Sequence, residues 1–171
     1  AILVKSDLIT NDINDLINKV NLFGFHFASL DIRQNSKIHN KVIKTIFDSF
    51  GTGNEDFKNY FSYSSEKRME LLATISGNIS SDLFNDEMTK QTLDSIFAIK
   101  TIQENNGELG ANRYIISNNE SALNVMETFA LFKLCNWENP SVDIVPLFES
   151  IEDLKDADKI MEQLYTNKEY A

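Results

Sequence analysis

Residues 30–34 read Leu-Asp-Ile-Arg-Gln, and residues 145–149 read Val-Pro-Leu-Phe-Glu. Each stretch is a short apolar segment that ends in charged residues and runs directly into a helical pattern. This order is typical of β/α units, in which the carboxyl end of a buried strand opens onto the ligand crevice. Arg33 and Glu149 are therefore the candidate site residues.

The first stretch alternates with the two-residue period of a strand. Leu30 and Ile32 fall on one side, which would face covering helices, whereas Ser29, Asp31 and Arg33 fall on the other. A paired charge inside a sheet can be directed at an anion, but an unpaired one is costly. Taken alone, Asp31 and Arg33 fit a structural ion pair at a strand end better than a site.

Composition narrows the class of protein. The 171 residues are 42% hydrophobic, and 16 basic against 26 acidic residues give a net charge of -10. That charge argues against a nucleic-acid surface. Apolar runs fall well short of the roughly 20 residues of a membrane span. We expect a soluble cytoplasmic protein that binds neither nucleic acid nor membrane.

Cysteine usage agrees with a reducing compartment. The single cysteine, Cys135, follows an apolar helical pattern over 129–134 and has no second thiol for a disulfide or a metal cluster. We predict that it packs in the core as a small hydrophobe.

The amino-terminal third predicts one β/α unit. Apolar residues at helical spacing over 8–20 indicate a helix of roughly four turns, which leads into a strand from Phe23 to Ile32. Ser36 is expected to cap the next helix, and Gly51 to end it.

The segment 52–110 is predicted to be mainly helical and inserted between strands. Ser65 would cap a helix that Gly77 ends, and a second helical pattern runs from Asp86 to Gly107. This stretch is longer than a plain strand-to-strand connection needs.

The remaining sequence predicts two further β/α units. Their elements are a strand Arg113–Ser117, a turn at Asn118-Asn119, a helix Ser121–Asn136, a strand Val142–Phe148 and a helix started by a capping box of Ser150 and Asp153. Strands that alternate with helices imply an α/β fold with parallel strands and right-handed crossovers.

Three ordered motifs resemble phosphoenolpyruvate carboxylase. They are R-Q-x-S-x-x-H at 33–39, Tyr-Ile-Ile-Ser at 114–117 and Val-Pro-Leu-Phe-Glu-Ser at 145–150, and Glu-Lys-Arg at 66–68 also fits the family's pattern. The resemblance covers most of the chain. Three motifs in one order are specific where any one alone would be weak.

The resemblance implies a partial β/α barrel of the TIM type, with about three parallel strands and flanking and inserted helices. Because a complete barrel takes about 250 residues, residues 1–171 are expected to be a single fragment of a larger catalytic barrel domain. Such an arc has open edges, and we expect the isolated chain to be inactive.

The same resemblance implies a lyase of carbon dioxide fixation. The family joins phosphoenolpyruvate to bicarbonate, giving oxaloacetate and phosphate through carboxyphosphate and an enolate, with Mg²⁺ or Mn²⁺. Its members are implied to be homotetramers with feedback inhibition by acidic amino acids. The alternative from another class is a noncatalytic α/β interaction module that docks a partner through its open edges.

Site roles follow from the matched motifs. Arg33 looks like the catalytic, phosphoenolpyruvate-binding arginine, and Glu149 looks like a metal ligand. We infer that Asp31 fixes the orientation of Arg33. His39 occupies the family's histidine position, where hydrogen bonding to the strand-end loop is preferred over proton transfer. His26 is predicted to be a packed residue on the first strand.

Some residues depart from the family. Ser29 stands where an arginine is usual and Asn35 where a glutamate is usual, and Arg113 is one residue that could compensate. One carboxylate is too few for a magnesium site, so a metal bound by Glu149 would need further ligands. The alternative is that Glu149 only stabilises the start of a helix, where the helix dipole favours a carboxylate. The family's upstream histidine, glycine-rich loop and second metal-binding carboxylate are not among these residues.

Overall fold

A computed structural model describes residues 2–51 and 53–170, with side chains from residue 9 onward. The strands are β1 Asp31–Asn35, β2 Arg113–Ser117 and β3 Asp143–Pro146. The helices are α1 Ile2–Phe23, α2 Ser36–Phe50, α3 Glu55–Asn59, α4 Ser65–Ala73, α5 Glu87–Asn106, α6 Ala122–Leu134 and α7 Ile151–Tyr165. Single 3₁₀ turns occupy Tyr60–Ser62, Ser81–Leu83 and Glu108–Gly110.

The three strands form one parallel sheet in the order β1-β2-β3, which confirms the predicted α/β class and strand direction. Asp31 pairs with Arg113 at the amino end of the sheet, and Arg113 in turn pairs with Asp143. Since the register is continuous, the side chains of these three residues share one face of the sheet.

The two faces of the sheet differ in burial. Tyr114, Ile116 and Ile144 on one face are buried and belong to the hydrophobic core that also contains residues of α2, α5 and α6. On the opposite face, Arg33 and Arg113 are exposed in the described chain. The sheet therefore has one packed face and one open, charged face.

The predicted strand from Phe23 to Ile32 is wrong in its position. Helix α1 continues to Phe23, and residues 24–30 form a turn in which Phe25 is 94% exposed. Phe27 has a positive φ of 63°, which interrupts an extended strand. His26 lies in this turn, half-buried, and is not a strand residue.

Several helix ends deviate from the sequence prediction, most of all in α1, which begins at Ile2 rather than near residue 8. Asn35, not Ser36, caps α2, and its side chain accepts from the Lys37 N–H at 2.9 Å. Ser64, not Ser65, caps α4, which ends at Ala73 before reaching Gly77. In both helices a side chain one residue earlier accepts from the free backbone donors of the first turn.

Other predicted boundaries are confirmed. Asp86 caps α5, and Gly107, with φ of 87°, ends it. The capping box of Ser150 and Asp153 starts α7. Cys135 is buried at the end of α6, and burial raises the pKa of its thiol to about 12.

Candidate functional site

The candidate residues Arg33 and Glu149 meet on the open face of the sheet, toward the carboxyl ends of the strands. Arg33 occupies the middle of β1, in register with Ile115 and Val145. Glu149 follows β3 by three residues, just before α7. The two are 116 residues apart in sequence, and the parallel sheet brings their side chains into contact.

The contact is an ion pair. Arg33 Nη2 donates a hydrogen bond to Glu149 Oε1, and the side chains are 55% and 40% exposed. Partial exposure leaves both charged groups accessible to a ligand. A planar guanidinium can bind a phosphate or carboxylate, and a carboxylate can bind a hard cation.

Glu149 is fixed by a second interaction. Its Oε2 accepts a hydrogen bond from the backbone N–H of Asn118 at 3.0 Å, at the end of β2. The N–H groups of Glu149 and Ser150 donate to Asp153 Oδ2 at 3.3 and 2.9 Å. Both the carboxylate and the backbone of Glu149 are therefore held.

Asp31 was predicted to fix the orientation of Arg33, but among the ion pairs of the described residues it pairs with Arg113, whose Nη1 lies 3.4 Å from Asp31 Oδ1. Neighbouring strands lie about 4.8 Å apart, whereas alternate residues of one strand are about 6.6 Å apart. The cross-strand partner in register is thus the nearer one, and the open face carries two separate ion pairs.

His39 is fully buried, and both of its ring nitrogens hydrogen-bond to side chains outside the strand-end loop. One ring nitrogen, Nε2, lies 3.0 Å from Tyr114 Oη, and the other, Nδ1, lies 2.9 Å from Thr128 Oγ1. Burial lowers the pKa of His39 to about 3. The ring is therefore neutral at physiological pH, and it links α2 to β2 and α6 rather than orienting the site loop.

A buried polar cluster was missed by the sequence analysis. Arg68 Nη2 donates to Glu127 Oε1 at 2.5 Å, and Glu127 is fully buried on α6. Tyr60 and Asn40 donate to the same oxygen at 3.1 and 2.9 Å. The available signal was a glutamate inside the apolar helix 122–134, where a charge needs a partner.

The fit of this chain to a divalent cation is partial. Glu149 offers an exposed carboxylate of the hard-oxygen type that Mg²⁺ prefers. No group of three or more metal-binding side chains occurs within the described ranges. The described residues can therefore contribute one ligand, and the remaining ligands have to come from elsewhere.

Within the described part of the chain, each helix is too short or too polar to cross a membrane.

Comparison with known proteins agrees with the three motifs. The family model described as phosphoenolpyruvate carboxylase matches residues 3–171. Proteins named phosphoenolpyruvate carboxylase from Nitrosomonas eutropha, Prochlorococcus marinus strain AS9601 and Nitrosomonas europaea are 33%, 32% and 33% identical to it. The alignments cover 97%, 95% and 97% of this chain but only 18%, 17% and 19% of those relatives. These comparisons give no support to a noncatalytic interaction module.

Proposed function

The chain belongs to the phosphoenolpyruvate carboxylase family, and we propose that it supplies part of the site that joins phosphoenolpyruvate to bicarbonate. The reaction yields oxaloacetate and phosphate. The chain spans less than a fifth of its relatives, so a complete protein would supply the rest of the site.

The contact between Arg33 and Glu149 carries this proposal. The guanidinium on one edge strand and the carboxylate that follows the opposite edge strand meet on the open face, and both stay partly exposed. An ion pair of this kind can separate to bind an anion and a cation side by side. Such a pair of ligands is what a metal-dependent reaction of a phosphorylated substrate requires.

Each residue has a defined role in the proposed site. The planar guanidinium of Arg33 binds the phosphate of phosphoenolpyruvate through paired donors. Glu149 contributes one oxygen ligand to Mg²⁺ or Mn²⁺. When bound, the cation would supply Lewis-acid stabilisation of the negative charge that develops on the enolate oxygen.

The partial barrel is part of the same proposal. The open face carries Arg33, Arg113 and Asp31, charged residues that would point into the interior once further strands closed the sheet. The described chain also exposes apolar surface that a larger fold would cover. On α1 this surface includes Ile9, Ile13, Leu16, Ile17 and Val20.

The test is oxaloacetate formation by the complete natural protein from phosphoenolpyruvate, bicarbonate and Mg²⁺, followed through coupled NADH oxidation. Arg33→Ala is expected to lower kcat/KM by about 10²–10³, the range seen when one donor to developing charge is removed. Lys44→Ala is the matched control, since Lys44 forms an exposed ion pair with Asp48 on α2, away from the open face.

The outcomes separate the parts of the proposal. An Arg33→Ala protein with the kcat/KM of the Lys44→Ala control would refute the role of Arg33. Oxaloacetate formation by the 171-residue chain alone would refute the expectation that this chain needs other segments. An inactive but folded complete protein would show that its chemistry differs from that of its family.

A further inference from the structure

Asn118 has an unusual backbone conformation directly beside the candidate site. Its φ is 53°, in the left-handed region. Residues with a Cβ avoid this region, β-branched residues most strongly, whereas asparagine and glycine adopt it more readily. Asn118 directly follows β2, and its left-handed conformation turns the chain out of the extended strand at this residue. Its N–H donates to Glu149 Oε2 at 3.0 Å.

The conformation of Asn118 is held from two sides. The hydroxyl of Ser36, at the buried start of α2, donates to the Asn118 carbonyl at 2.5 Å. The Asn118 side-chain amide donates to Glu120 Oε1 at 2.9 Å and lies 3.5 Å from Ser36 Oγ. The turn after β2 is therefore tied to the junction that follows Arg33.

The two oxygens of Glu149 have different partners. Oε1 accepts from the charged side chain of Arg33, and Oε2 accepts from the neutral backbone of Asn118. If Arg33 turns to a substrate anion, the first contact is lost, but the backbone contact does not compete with the substrate. The Asn118 N–H can thus keep the carboxylate in position when the ion pair separates.

We propose that Asn118 is a positioning residue, whose left-handed backbone holds Glu149 in the orientation that binds the divalent cation. This inference rests on the proposed function, because it takes Glu149 to be a metal ligand. Its consequence is that backbone conformation at residue 118, rather than the asparagine side chain, sets the metal affinity.

The experiment measures binding of Mn²⁺ alone to the complete protein by electron paramagnetic resonance, without turnover. Asn118→Val should weaken Mn²⁺ binding about tenfold, the lower end of the range for groups that orient metal ligands. Asn118→Gly, which keeps access to a positive φ, should stay within about twofold of wild type. Asn118→Ala, for which a positive φ is less costly than for valine, should weaken Mn²⁺ binding about threefold. This variant replaces Asn118→Val in the test if the valine variant does not fold.

Asn136→Val is the matched control. Asn136 also has a positive φ, 57°, but its N–H donates to the Lys133 carbonyl at the end of α6 rather than to a site residue. This variant should lose thermal stability while retaining wild-type Mn²⁺ affinity. A loss of Mn²⁺ affinity in both valine variants would attribute the effect to general destabilisation and overturn the inference.

Glu149→Gln separates failure of the inference from failure of the proposed function. If Glu149→Gln binds Mn²⁺ as wild type does, Glu149 is not a ligand and both are wrong. If it loses affinity while folded Asn118→Val or Asn118→Ala keeps it, only the inference is wrong. Equal losses in Asn118→Gly and Asn118→Ala would assign the effect to the side chain and would also overturn it.

Discussion

Replacing Arg68 with methionine would remove the cation from a buried ion pair. Glu127 is fully buried, and its Oε1 accepts from Arg68, Tyr60 and Asn40. Its Oε2 has no hydrogen-bond partner among the described residues. The Arg68→Met variant would therefore hold a carboxylate in the core with two neutral donors on one oxygen and no compensating charge.

The expected cost depends on pH. Removing one partner of a buried pair costs about 3–5 kcal/mol. Protonation limits this cost, because neutralising a carboxyl whose ordinary pKa is about 4.3 takes about 4 kcal/mol at pH 7 but only about 1 kcal/mol at pH 5. Burial raises the pKa of Glu127, and the charge of Arg68 opposes that rise. Without Arg68 the pKa should rise further.

The direction in which stability changes with pH follows from proton binding. Between the pKa of Glu127 in the unfolded chain and its higher pKa in the folded protein, the folded state holds a proton that the unfolded state has lost. Stability therefore falls as pH rises through this window. Relative to wild type, Arg68→Met should lose about 4 kcal/mol at pH 7 and about 1 kcal/mol at pH 5.

Urea unfolding of the 171-residue chain measures this loss. The signal is fluorescence of its one tryptophan, Trp137, whose ring packs 5.5 Å from that of Phe132. The control is the double variant Arg68→Met with Glu127→Met, which should recover to within about 2 kcal/mol of wild type because neither charge remains buried. A loss below about 1 kcal/mol at pH 7, or an equal loss at both pH values, would refute the reasoning.

Three further predictions concern single groups. Glu149→Gln should free Arg33 and tighten phosphoenolpyruvate binding to the metal-free complete protein about 1.5- to 5-fold, which corresponds to the free energy of an exposed ion pair. Calorimetry in EDTA that finds unchanged affinity would contradict this. Burial lowers the pKa of His39 to about 3, so its NMR shifts should not titrate between pH 5 and 8. As pH falls below the ordinary pKa of about 6.5, its contribution to stability should fall by about 1.4 kcal/mol per pH unit. The His39→Gln variant should lack this dependence on pH. Burial raises the pKa of the Cys135 thiol to about 12, so iodoacetamide at pH 8 should label it only after denaturation, and rapid labelling of the native chain, seen by mass spectrometry, would show that it is accessible.

The parallel direction of the strands could be predicted because strands alternate with helices along the chain. The position of β1 could not. Apolar residues such as Phe25 and Phe27 suggested a buried strand, but both are exposed in this chain. Pairing with β2, from Asp31 to Asn35, sets the strand instead. Apolar character indicates that a side chain tends to be buried, but not which segment of a larger protein buries it.

The individual site residues were easier to predict than their contacts. Strand ends and motifs singled out Arg33 and Glu149, but a contact across 116 residues depends on sheet order and register. The same dependence gave Asp31 a different partner, Arg113, on the adjacent strand. His39 was predicted to bond the strand-end loop because it matches the family's histidine position one turn into the helix, whereas α2 directs its ring into the core.

The two ion pairs of the open face differ in how freely they can separate. Asp31 and Arg113 both lie within paired strands, where the register fixes their backbones opposite each other. Glu149 lies outside β3, and its carboxylate has the Asn118 N–H as a second anchor. Separating Arg33 from Glu149 therefore moves only the arginine side chain, at the modest cost of an exposed pair. A phosphate with its divalent cation can replace the lost partner of both groups, because the phosphate binds Arg33 and the cation binds Glu149. An anion alone leaves Glu149 without a cationic partner.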